Sequence, residues 1–271
     1  MSKHCPFALS LRYKKERPFD KLRASGEKSI SNPESPILIF DSGVGGLTIL
    51  AALREKLPQA PVIYAADFAG LPYGTKSEAE VAARVCGLLG RMAERYQPRL
   101  ICIACNTAST IALGMVRDVL EIPIVGTVPA IKPAALATTT GTIGLLGTGA
   151  TVRQAYVDRL EAEFAQDKRL LRHAADALVP LAEAKMRGEP VGEQALIDAV
   201  KGLRESPEAH DLDTLVLACT HFPLLANELR GLFGKHVQLV DGAQGIARRI
   251  AALTEGQAFD RARPDLSLIH I

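Results

Sequence analysis

Short apolar runs alternate along the chain with longer segments in which apolar residues recur at helical spacing. The short runs predict buried strands, and the longer segments predict amphipathic helices. In the first half, the expected elements are strand Ile37 to Phe40, helix Leu47 to Leu57, strand Val62 to Ala65, helix Lys76 to Tyr96, strand Leu100 to Ala104, helix Ala108 to Leu120 and strand Ile124 to Val125. Strands that alternate with helices in this way predict a parallel sheet with crossover helices.

The alternation starts again after the segment Pro129 to Pro133, which we interpret as a junction. The expected elements of the second half are strand Thr142 to Leu146, helix Arg153 to Phe164, a polar connection, helices around Leu181 to Met186 and Glu193 to Leu203, strand Thr214 to Leu217 and helix Ala243 to Thr254. The last helix is expected to fold back on the first half.

Two motifs occur in both halves, in the same order and at nearly the same offset. Leu100-Ile101-Cys102-Ile103-Ala104-Cys105-Asn106-Thr107 and Thr214-Leu215-Val216-Leu217-Ala218-Cys219-Thr220-His221 are both apolar runs that end in Ala-Cys and a polar pair. An apolar strand also enters a Gly-rich turn at Phe40 to Gly46 and again at Leu146 to Thr151. This repetition predicts a duplicated α/β unit.

The predicted fold class is therefore α/β. We expect two similar parallel-sheet α/β domains related by pseudo-twofold symmetry, with the active site in the cleft between them. The first domain is expected to comprise residues 36–128 and 241–262, and the second residues 129–240.

The repeated Ala-Cys motifs place the thiols of Cys105 and Cys219 at the carboxyl ends of predicted strands, where α/β sheets bind ligands. Taken singly, each cysteine fits a small buried apolar residue. Their repetition with polar successors favours chemistry instead. Inversion of a carbon centre needs a base on one face and an acid on the other. Two opposed thiols match that requirement.

Composition limits the classes of function. The 271 residues are 48% hydrophobic, carry a net charge of +2 and include no tryptophan. This balance argues against nucleic acid as the primary ligand. The stretch from Ile122 to Val152 has Lys132 as its only charge, but proline and glycine interrupt it, so no membrane span is expected. Five cysteines without a signal peptide predict reduced thiols in the cytoplasm.

Several segments in order resemble the signatures of the glutamate racemase family, within the wider aspartate/glutamate racemase superfamily, from about Pro36 to Ala262. They are Asp41-Ser42-Gly43-Val44-Gly45-Gly46-Leu47, Leu71-Pro72-Tyr73-Gly74, Ala104-Cys105-Asn106-Thr107-Ala108, Val128-Pro129-Ala130-Ile131-Lys132-Pro133-Ala134 and Ala218-Cys219-Thr220-His221-Phe222-Pro223-Leu224. The resemblance implies cofactor-independent interconversion of L- and D-glutamate, which supplies D-glutamate for bacterial peptidoglycan.

The resemblance also implies roles for individual residues. Cys105 is associated with deprotonating D-glutamate and Cys219 with L-glutamate. A free thiol has a pKa of roughly 8.5, so each thiol needs a helper at neutral pH. The implied helpers are Asp41 for Cys105 and His221 for Cys219. The implied substrate contacts are Asp41, Ser42, Tyr73, Gly74, Asn106, Thr107, Thr148, Thr220 and His221, with Glu183 as a further acidic position.

The chain departs from the family pattern at two places. Phe68 and Gly70 stand where relatives commonly have Thr and Arg, so contacts from those side chains do not carry over. Ala175-Asp176 replaces a common Cys-Pro pair. Neither departure removes a proposed acid or base.

Other functions compete with this interpretation. Cys102 and Cys105 form a C-x-x-C, but no second pair exists to complete a metal or redox site. Gly147-Thr148-Gly149 resembles part of a dinucleotide loop without its full glycine pattern. A cysteine hydrolase using Cys219 and His221 leaves Cys105 unexplained. We therefore predict neither a metal nor another cofactor.

Partners and close alternatives come from the family resemblance. The expected ligand is glutamate, and an aspartate racemase is the nearest alternative. A non-catalytic protein that binds DNA gyrase is the alternative from another class, since some relatives have that second role. A homodimer is the expected assembly if the chain associates.

The two ends of the chain differ from the rest. Residues 1–35 carry eight Lys/Arg against four Asp/Glu without sustained periodicity, which predicts a disordered extension. Its acidic residues argue against a transit peptide. Residues 263–271 are interpreted as a tail whose short apolar end has no assigned role.

Overall fold

The computed structural model of the protein describes residues 34–259 and 266–270. The predicted extension therefore lies outside the described residues, apart from its last two. The strands are β1 (Ile37–Asp41), β2 (Val62–Ala66), β3 (Leu100–Ile103), β4 (Ile124–Gly126), β5 (Thr142–Gly147), β6 (Arg169–Ala174), β7 (Leu212–Ala218), β8 (Gln238–Val240) and β9 (Leu266–His270).

Helices connect these strands. They are α1 (Leu47–Lys56), α2 (Glu78–Tyr96), α3 (Asn106–Val119), α4 (Ile131–Ala137), α5 (Gly149–Val152), α6 (Ala155–Phe164), α7 (Leu178–Met186), α8 (Glu193–Arg204), α9 (Ala226–Phe233) and α10 (Ala243–Leu253). Short 3-10 turns cover Phe68–Gly70, Tyr73–Thr75, Ala209–Asp211 and Phe222–Leu225.

The strands form two parallel sheets with the same topology. The first sheet has the order β4-β3-β1-β2-β9, and the second has the order β6-β5-β7-β8. In each, the first strand in sequence pairs with the second and the third, and the fourth lies beside the third. The predicted pair of similar parallel-sheet α/β domains is therefore confirmed. We call β1–β4, β9, α1–α3 and α10 the first lobe, and β5–β8 with α4–α9 the second lobe.

Strand β1 shows why the central strands have uninterrupted apolar sequences. Ile37 and Ile39 pack towards α1 and α10 on one face of the sheet, whereas Leu38 and Phe40 pack towards α2 and α3 on the other. A strand covered by helices on both faces buries every side chain and needs no polar alternation.

Helix α10 returns to the first lobe, as predicted. Its buried residues Ile246, Ala247 and Ile250 share a core cluster with α1 and β1. The chain thus leaves the first lobe, completes the second and comes back. The domain limits drawn at residues 128 and 240 stay a prediction.

Some elements differ from the sequence expectation. The prediction of a polar connection after α6 is wrong, because Arg169–Ala174 forms β6 at the edge of the second sheet. An edge strand is half-exposed, so its arginine and histidine side chains hide the strand pattern. Residues Leu266–His270 were expected to be a tail without a role, but they pair with β2 as β9. In the described part of the chain, no helix is long and apolar enough to span a membrane.

Asp213 fixes the loop through which the chain enters the second sheet. Its carboxylate accepts hydrogen bonds from Thr138 Oγ1 at 2.6 Å, from Thr139 N and Oγ1 at 2.6 and 2.7 Å, and from Thr140 N at 2.9 Å. Burial raises the pKa of Asp213, but these bonds outweigh burial and hold it well below its usual range.

We expect Asp213→Ala to lower the free energy of unfolding by about 1–3 kcal/mol at pH 7, because it leaves several donors without their acceptor. The pKa of Asp213 is depressed in the folded state, so its contribution is present above the unfolded value of 3.8 and is lost as the pH falls through the folded value. Urea denaturation at several pH values measures both effects. Asp167→Ala is the control, since Asp167 is exposed and forms a surface ion pair with its neighbour Lys168. Equal stability of the two variants at pH 7 would rule out this role.

Candidate active site

Cys105 lies at the point where β3 ends and α3 begins. It caps the helix, with Ala108 N donating to its Sγ at 3.5 Å. The Ser42 hydroxyl donates to the same sulfur at 3.6 Å from the loop after β1. The residue is 5% exposed. The helix amino terminus and the Ser42 hydroxyl are the groups of this position that favour negative charge on the sulfur.

Cys219 occupies the matching position after β7 and is 7% exposed. Its Sγ lies 3.9 Å from Nδ1 of His221. The other ring nitrogen of His221 lies 2.7 Å from Oε1 of Glu183, which α7 supplies. The same carboxylate oxygen accepts the Val44 amide of the first lobe at 3.0 Å. Glu183, which resemblance only suggested, therefore joins the first lobe to the acid/base pair of the second.

The His221 imidazole is held in its charged form. Burial lowers its pKa, but hydrogen bonds with Cys219 and Glu183 and the nearby charges of Cys219 and Asp41 raise it to about 10. Both ring nitrogens are donors in the charged ring, which matches a sulfur on one side and a carboxylate on the other. The charged ring therefore places a positive charge beside the Sγ of Cys219.

Asp41 lies between the two cysteine positions. Its carboxylate accepts from Ser42 N at 2.9 Å and from Gly46 N in its own loop, and from the Thr220 hydroxyl of the second lobe at 3.2 Å. Burial raises the pKa of Asp41, and the charge of His221 together with these hydrogen bonds partly offsets that effect. Asp41 is thus connected to Cys105 through Ser42, which donates its backbone amide to Asp41 and its hydroxyl to the sulfur.

The Cys105 thiol is kept neutral in this arrangement. Burial and the charge of Asp41 raise its pKa well above the usual range, while the Ala108 amide and the Ser42 hydroxyl lower it in part. A charge on Cys219 also raises the pKa of Cys105, as expected for two nearby thiols. A positive group placed between them would relieve both effects.

Glycines in the loop after β1 allow the two lobes to touch. A Cβ on Gly45 would lie 2.5 Å from Thr220 Oγ1 and 2.7 Å from the backbone nitrogen of His221. A Cβ on Gly43 would collide with the Glu183 carboxylate. The Tyr64 hydroxyl of β2 donates to Gly43 O at 2.8 Å and holds the loop from its own lobe. Close backbone approach therefore explains the glycines.

Three threonine hydroxyls form a second contact between the lobes. Thr107 at the start of α3 lies 2.9 Å from Thr148 Oγ1 and 3.2 Å from Thr151 Oγ1, and the last two are 3.0 Å apart. All three side chains are buried. Thr107 and Thr148 were predicted as substrate contacts, whereas Thr151 was not.

The turn Tyr73–Thr75 contacts α3 of the first lobe and α5 of the second. Tyr73 is buried in the same core cluster as Cys105. A Cβ on Gly74 would lie 2.6 Å from Asp176 Oδ1 and 2.9 Å from Thr148 Cβ, so the turn contacts the second lobe. Asp176, one of the residues that departs from the family pattern, accepts the Gly149 amide at 2.8 Å.

The structure brings most of the predicted residues together. One hydrogen-bonded set contains Cys105, Ser42, Asp41, Thr220 and, through the loop and Glu183, His221 and Cys219. Asn106 is buried at the first position of α3.

Cys102 does not join this set. It belongs to the core cluster on the face of α1 and α10, whereas Cys105 belongs to the cluster on the face of α2 and α3. The C-x-x-C is therefore split between opposite faces of the sheet. Among the described residues, no group of three or more His, Cys, Asp or Glu is placed to hold a metal ion.

Sequence reasoning missed Tyr64, Asp67, Arg84 and Thr151. A signal existed for Asp67, which follows β2 as Asp41 ends β1. Arg84 carries no such signal, because a charged residue on an amphipathic helix is ordinarily a solvated one.

Comparisons with known proteins agree with this geometry. Residues 47–250 match the Asp/Glu/hydantoin racemase family. The chain belongs to this family.

Within this family, the chain is similar to several glutamate racemases. The chain is 63% identical over 227 residues to glutamate racemase of Sphingopyxis alaskensis, covering 84% of this chain and 85% of the relative. It is 43% identical over 241 residues to glutamate racemase of Escherichia coli, covering 88% of this chain and 83% of the relative. The crystal structure of Escherichia coli glutamate racemase in complex with L-glutamate and the activator UDP-MurNAc-Ala is similar with a TM-score of 0.81 and 42% identity, covering 88% of this chain and 89% of that chain.

Proposed function

We propose that the protein is a cofactor-independent glutamate racemase in which Cys105 and Cys219 are the two acid/base groups. The main support for this proposal is that the two buried thiols lie at equivalent strand ends of the two similar sheets. Each thiol has its own polar support, from Ser42 and the start of α3 for Cys105 and from His221 for Cys219. The reaction makes the enzyme an amino-acid racemase, which is an isomerase.

The reaction passes through a carbanion at the α-carbon. The thiolate of one cysteine removes the α-proton of glutamate, and the thiol of the other delivers its proton to the opposite face. The first cysteine then carries the proton and the second carries the charge. The reverse reaction uses the same groups with their roles exchanged. No atom is gained or lost, and no co-reactant is consumed.

Charged groups of the substrate complete the electrostatics. The α-ammonium brings a positive charge that pairs with the buried Asp41 carboxylate, which lowers the cost of a thiolate at Cys105. On the other side, charged His221 supports the thiolate of Cys219. The two thiols therefore receive their help from different sources.

Binding of the two carboxylates requires donors. We assign this role to hydroxyl, amide and backbone N–H groups of the predicted contacts Ser42, Gly74, Asn106, Thr107, Thr148 and Thr220, and to the backbone of Tyr73. Burial of both thiols means that the lobes must separate for glutamate to enter and close again around it. A closed site strengthens electrostatic interactions by excluding water.

The test is racemisation of L- and D-glutamate by the purified protein without added cofactor, followed by circular dichroism and by exchange of the α-proton with solvent deuterium. We expect inversion and exchange from both enantiomers, with L- and D-aspartate turned over much more slowly. A folded protein that inverts aspartate and not glutamate would replace this proposal by the aspartate alternative. A protein that inverts neither would remove the racemase assignment.

The cellular role follows from the product. D-glutamate is a building block of peptidoglycan, so the enzyme contributes to cell-wall formation and cell shape, and we place it in the cytoplasm. A homodimer and binding to DNA gyrase stay predictions. Light scattering of the purified protein tests the first, and co-purification with gyrase tests the second.

A further inference from the structure

Asp67 is the centre of a buried ionic cluster beside the site. It follows β2, and its side chain is fully buried. Its carboxylate accepts from Nε and Nη2 of Arg84, which α2 supplies, and from the Tyr73 hydroxyl. The Gly70 amide donates to the same carboxylate at 3.1 Å. Four donors from three chain segments thus converge on one anion.

The geometry of this cluster is specific. Two guanidinium N–H groups face the two carboxylate oxygens, which is the bidentate arrangement of arginine with carboxylate. Burial raises the pKa of Asp67, but Arg84 and Tyr73 outweigh it and lower the pKa below its ordinary value. Asp67 is therefore a carboxylate at neutral pH and a strong acceptor for the Tyr73 hydroxyl.

The cluster decides what Tyr73 can offer to the substrate. A tyrosine hydroxyl has one proton to donate, and that proton goes to Asp67. The hydroxyl is then unable to donate to a glutamate carboxylate. Contact of Tyr73 with substrate is left to its ring or its backbone, and the hydroxyl serves as an anchor.

The anchored turn reaches both halves of the site. Tyr73 packs in the core cluster with Cys105 in the first lobe. The next residue, Gly74, lies against Thr148 and Asp176 of the second lobe. The contacts that fix Tyr73 therefore also fix a contact between the two lobes.

We infer that Asp67 and Arg84 are positioning residues, which hold Tyr73 and thereby keep the turn Tyr73–Thr75 in its substrate-binding position. This inference rests on the proposed glutamate racemase activity. Neither residue takes part in proton transfer. Asp67 and Arg84 instead raise the fraction of the free enzyme in which the turn is in its substrate-binding position.

This role predicts an effect on KM rather than on kcat. If only a fraction of the free enzyme has the turn in place, the apparent dissociation constant rises by the inverse of that fraction. Saturating substrate selects the ordered turn, so the chemical step then proceeds as in the parent. Loss of a hydrogen bond to a charged group is worth roughly 1.5–3 kcal/mol, which corresponds to an increase in KM of about ten- to a hundredfold.

The experiment uses Arg84→Met, Arg84→Lys, Tyr73→Phe and the double variant Arg84→Met/Tyr73→Phe. Arg91→Met is the matched control, because Arg91 is an exposed arginine on the same helix. We expect KM for both glutamate enantiomers to rise in Arg84→Met and Tyr73→Phe, with kcat within about threefold of the parent. Arg84→Lys should be intermediate, since lysine keeps the charge and loses the bidentate geometry. The double variant should show less than the sum of the single effects.

Hydrogen exchange supplies a readout that is independent of activity. We expect the backbone amides of residues 71–76 to exchange faster in Arg84→Met and Tyr73→Phe than in Arg91→Met. Unchanged KM and unchanged exchange in folded variants would overturn the inference, even if their thermal stability fell. A loss of kcat at constant KM would also overturn it, because it would make the cluster part of the chemistry. If Arg84→Met does not fold, Arg84→Lys and Tyr73→Phe decide.

The two proposals fail in different ways. A parent enzyme that does not racemise glutamate removes the proposed function, and amide exchange in residues 71–76 still decides the role of the cluster. A parent that racemises glutamate, with variants that keep its KM and its amide exchange, removes only the positioning role.

Discussion

Cys105→Ser is expected to abolish the inversion of both glutamate enantiomers while L-glutamate still exchanges its α-proton with solvent. Cys219 remains able to remove the proton of L-glutamate, exchange it for a deuteron and return that deuteron to the same face. D-glutamate presents its α-proton to the missing thiol and should not exchange. Cys219→Ser should give the mirror result, with exchange of D-glutamate alone.

The size of the effect follows from the chemistry. A serine hydroxyl does not ionise at neutral pH, so the variant lacks an acid and a base on one face. Loss of a positioned acid or base costs about 10²–10⁴ in rate. Enantiomers have equal free energies in water, so kcat/KM must fall equally in both directions. Only the exchange experiment can therefore show which thiol serves which enantiomer.

Nuclear magnetic resonance in deuterium oxide measures exchange, and circular dichroism measures inversion. Cys86→Ser is the control, because Cys86 is a half-buried cysteine on α2 that is not one of the proposed site residues. Inversion by Cys105→Ser at more than about a hundredth of the parent rate would contradict the two-thiol mechanism. Full inversion by that variant would show that Cys105 is not one of the two acid/base groups.

Glu183→Gln is expected to lower kcat by about ten- to a hundredfold at neutral pH, the equivalent of a hydrogen bond to a charged group. Glutamine keeps an oxygen that accepts from His221 but removes the negative charge. Burial already lowers the pKa of His221, and Glu183 is one of the groups that raise it to about 10. The pKa of His221 should therefore be lower in the variant. The ring then loses its positive charge, and with it the favourable interaction with Cys219, at a lower pH than in the parent.

The pH dependence has a definite sign. The folded pKa of His221 lies above its unfolded value of 6.5, so the stability that it contributes is fully present below that value and is lost as the pH rises through about 10. The alkaline limb of kcat should move to lower pH in Glu183→Gln. The difference in unfolding free energy between parent and variant should shrink as the pH approaches the folded value.

Rate profiles and urea denaturation over the same pH range measure both changes. Glu189→Gln is the control, since Glu189 is exposed and forms a surface ion pair with Arg187. A Glu183→Gln enzyme with the alkaline limb of the parent would contradict the role of Glu183 in holding the charge of His221. That result would leave the two-thiol mechanism unchanged, because the positions of Cys105 and Cys219 do not depend on Glu183.

Strand ends were the part of the site that sequence could predict. An apolar run identifies a buried parallel strand, and the residue after it must lie at the carboxyl edge of the sheet. Cys105 and Cys219 are predicted in this way, and their placement needs no knowledge of distant contacts. Asp41 is implied by the family resemblance and also lies at a strand end. The edge strand β6 was not predicted, since an edge strand that is exposed on one side lacks the apolar run that identifies central strands.

The sequence by itself determined the duplicated α/β design, the two thiols and the glycine-rich loop, because each is written in contiguous residues with a local physical meaning. Only the tertiary structure decided which distant groups hold His221 and Asp67 in place. Glu183 meets His221 and the Val44 amide from separate elements, and Arg84 reaches Asp67 from α2. Such pairs join residues far apart in the chain, and no spacing or periodicity encodes them. They exist because burial of a charge requires a partner, and the fold alone selects which partner is within reach.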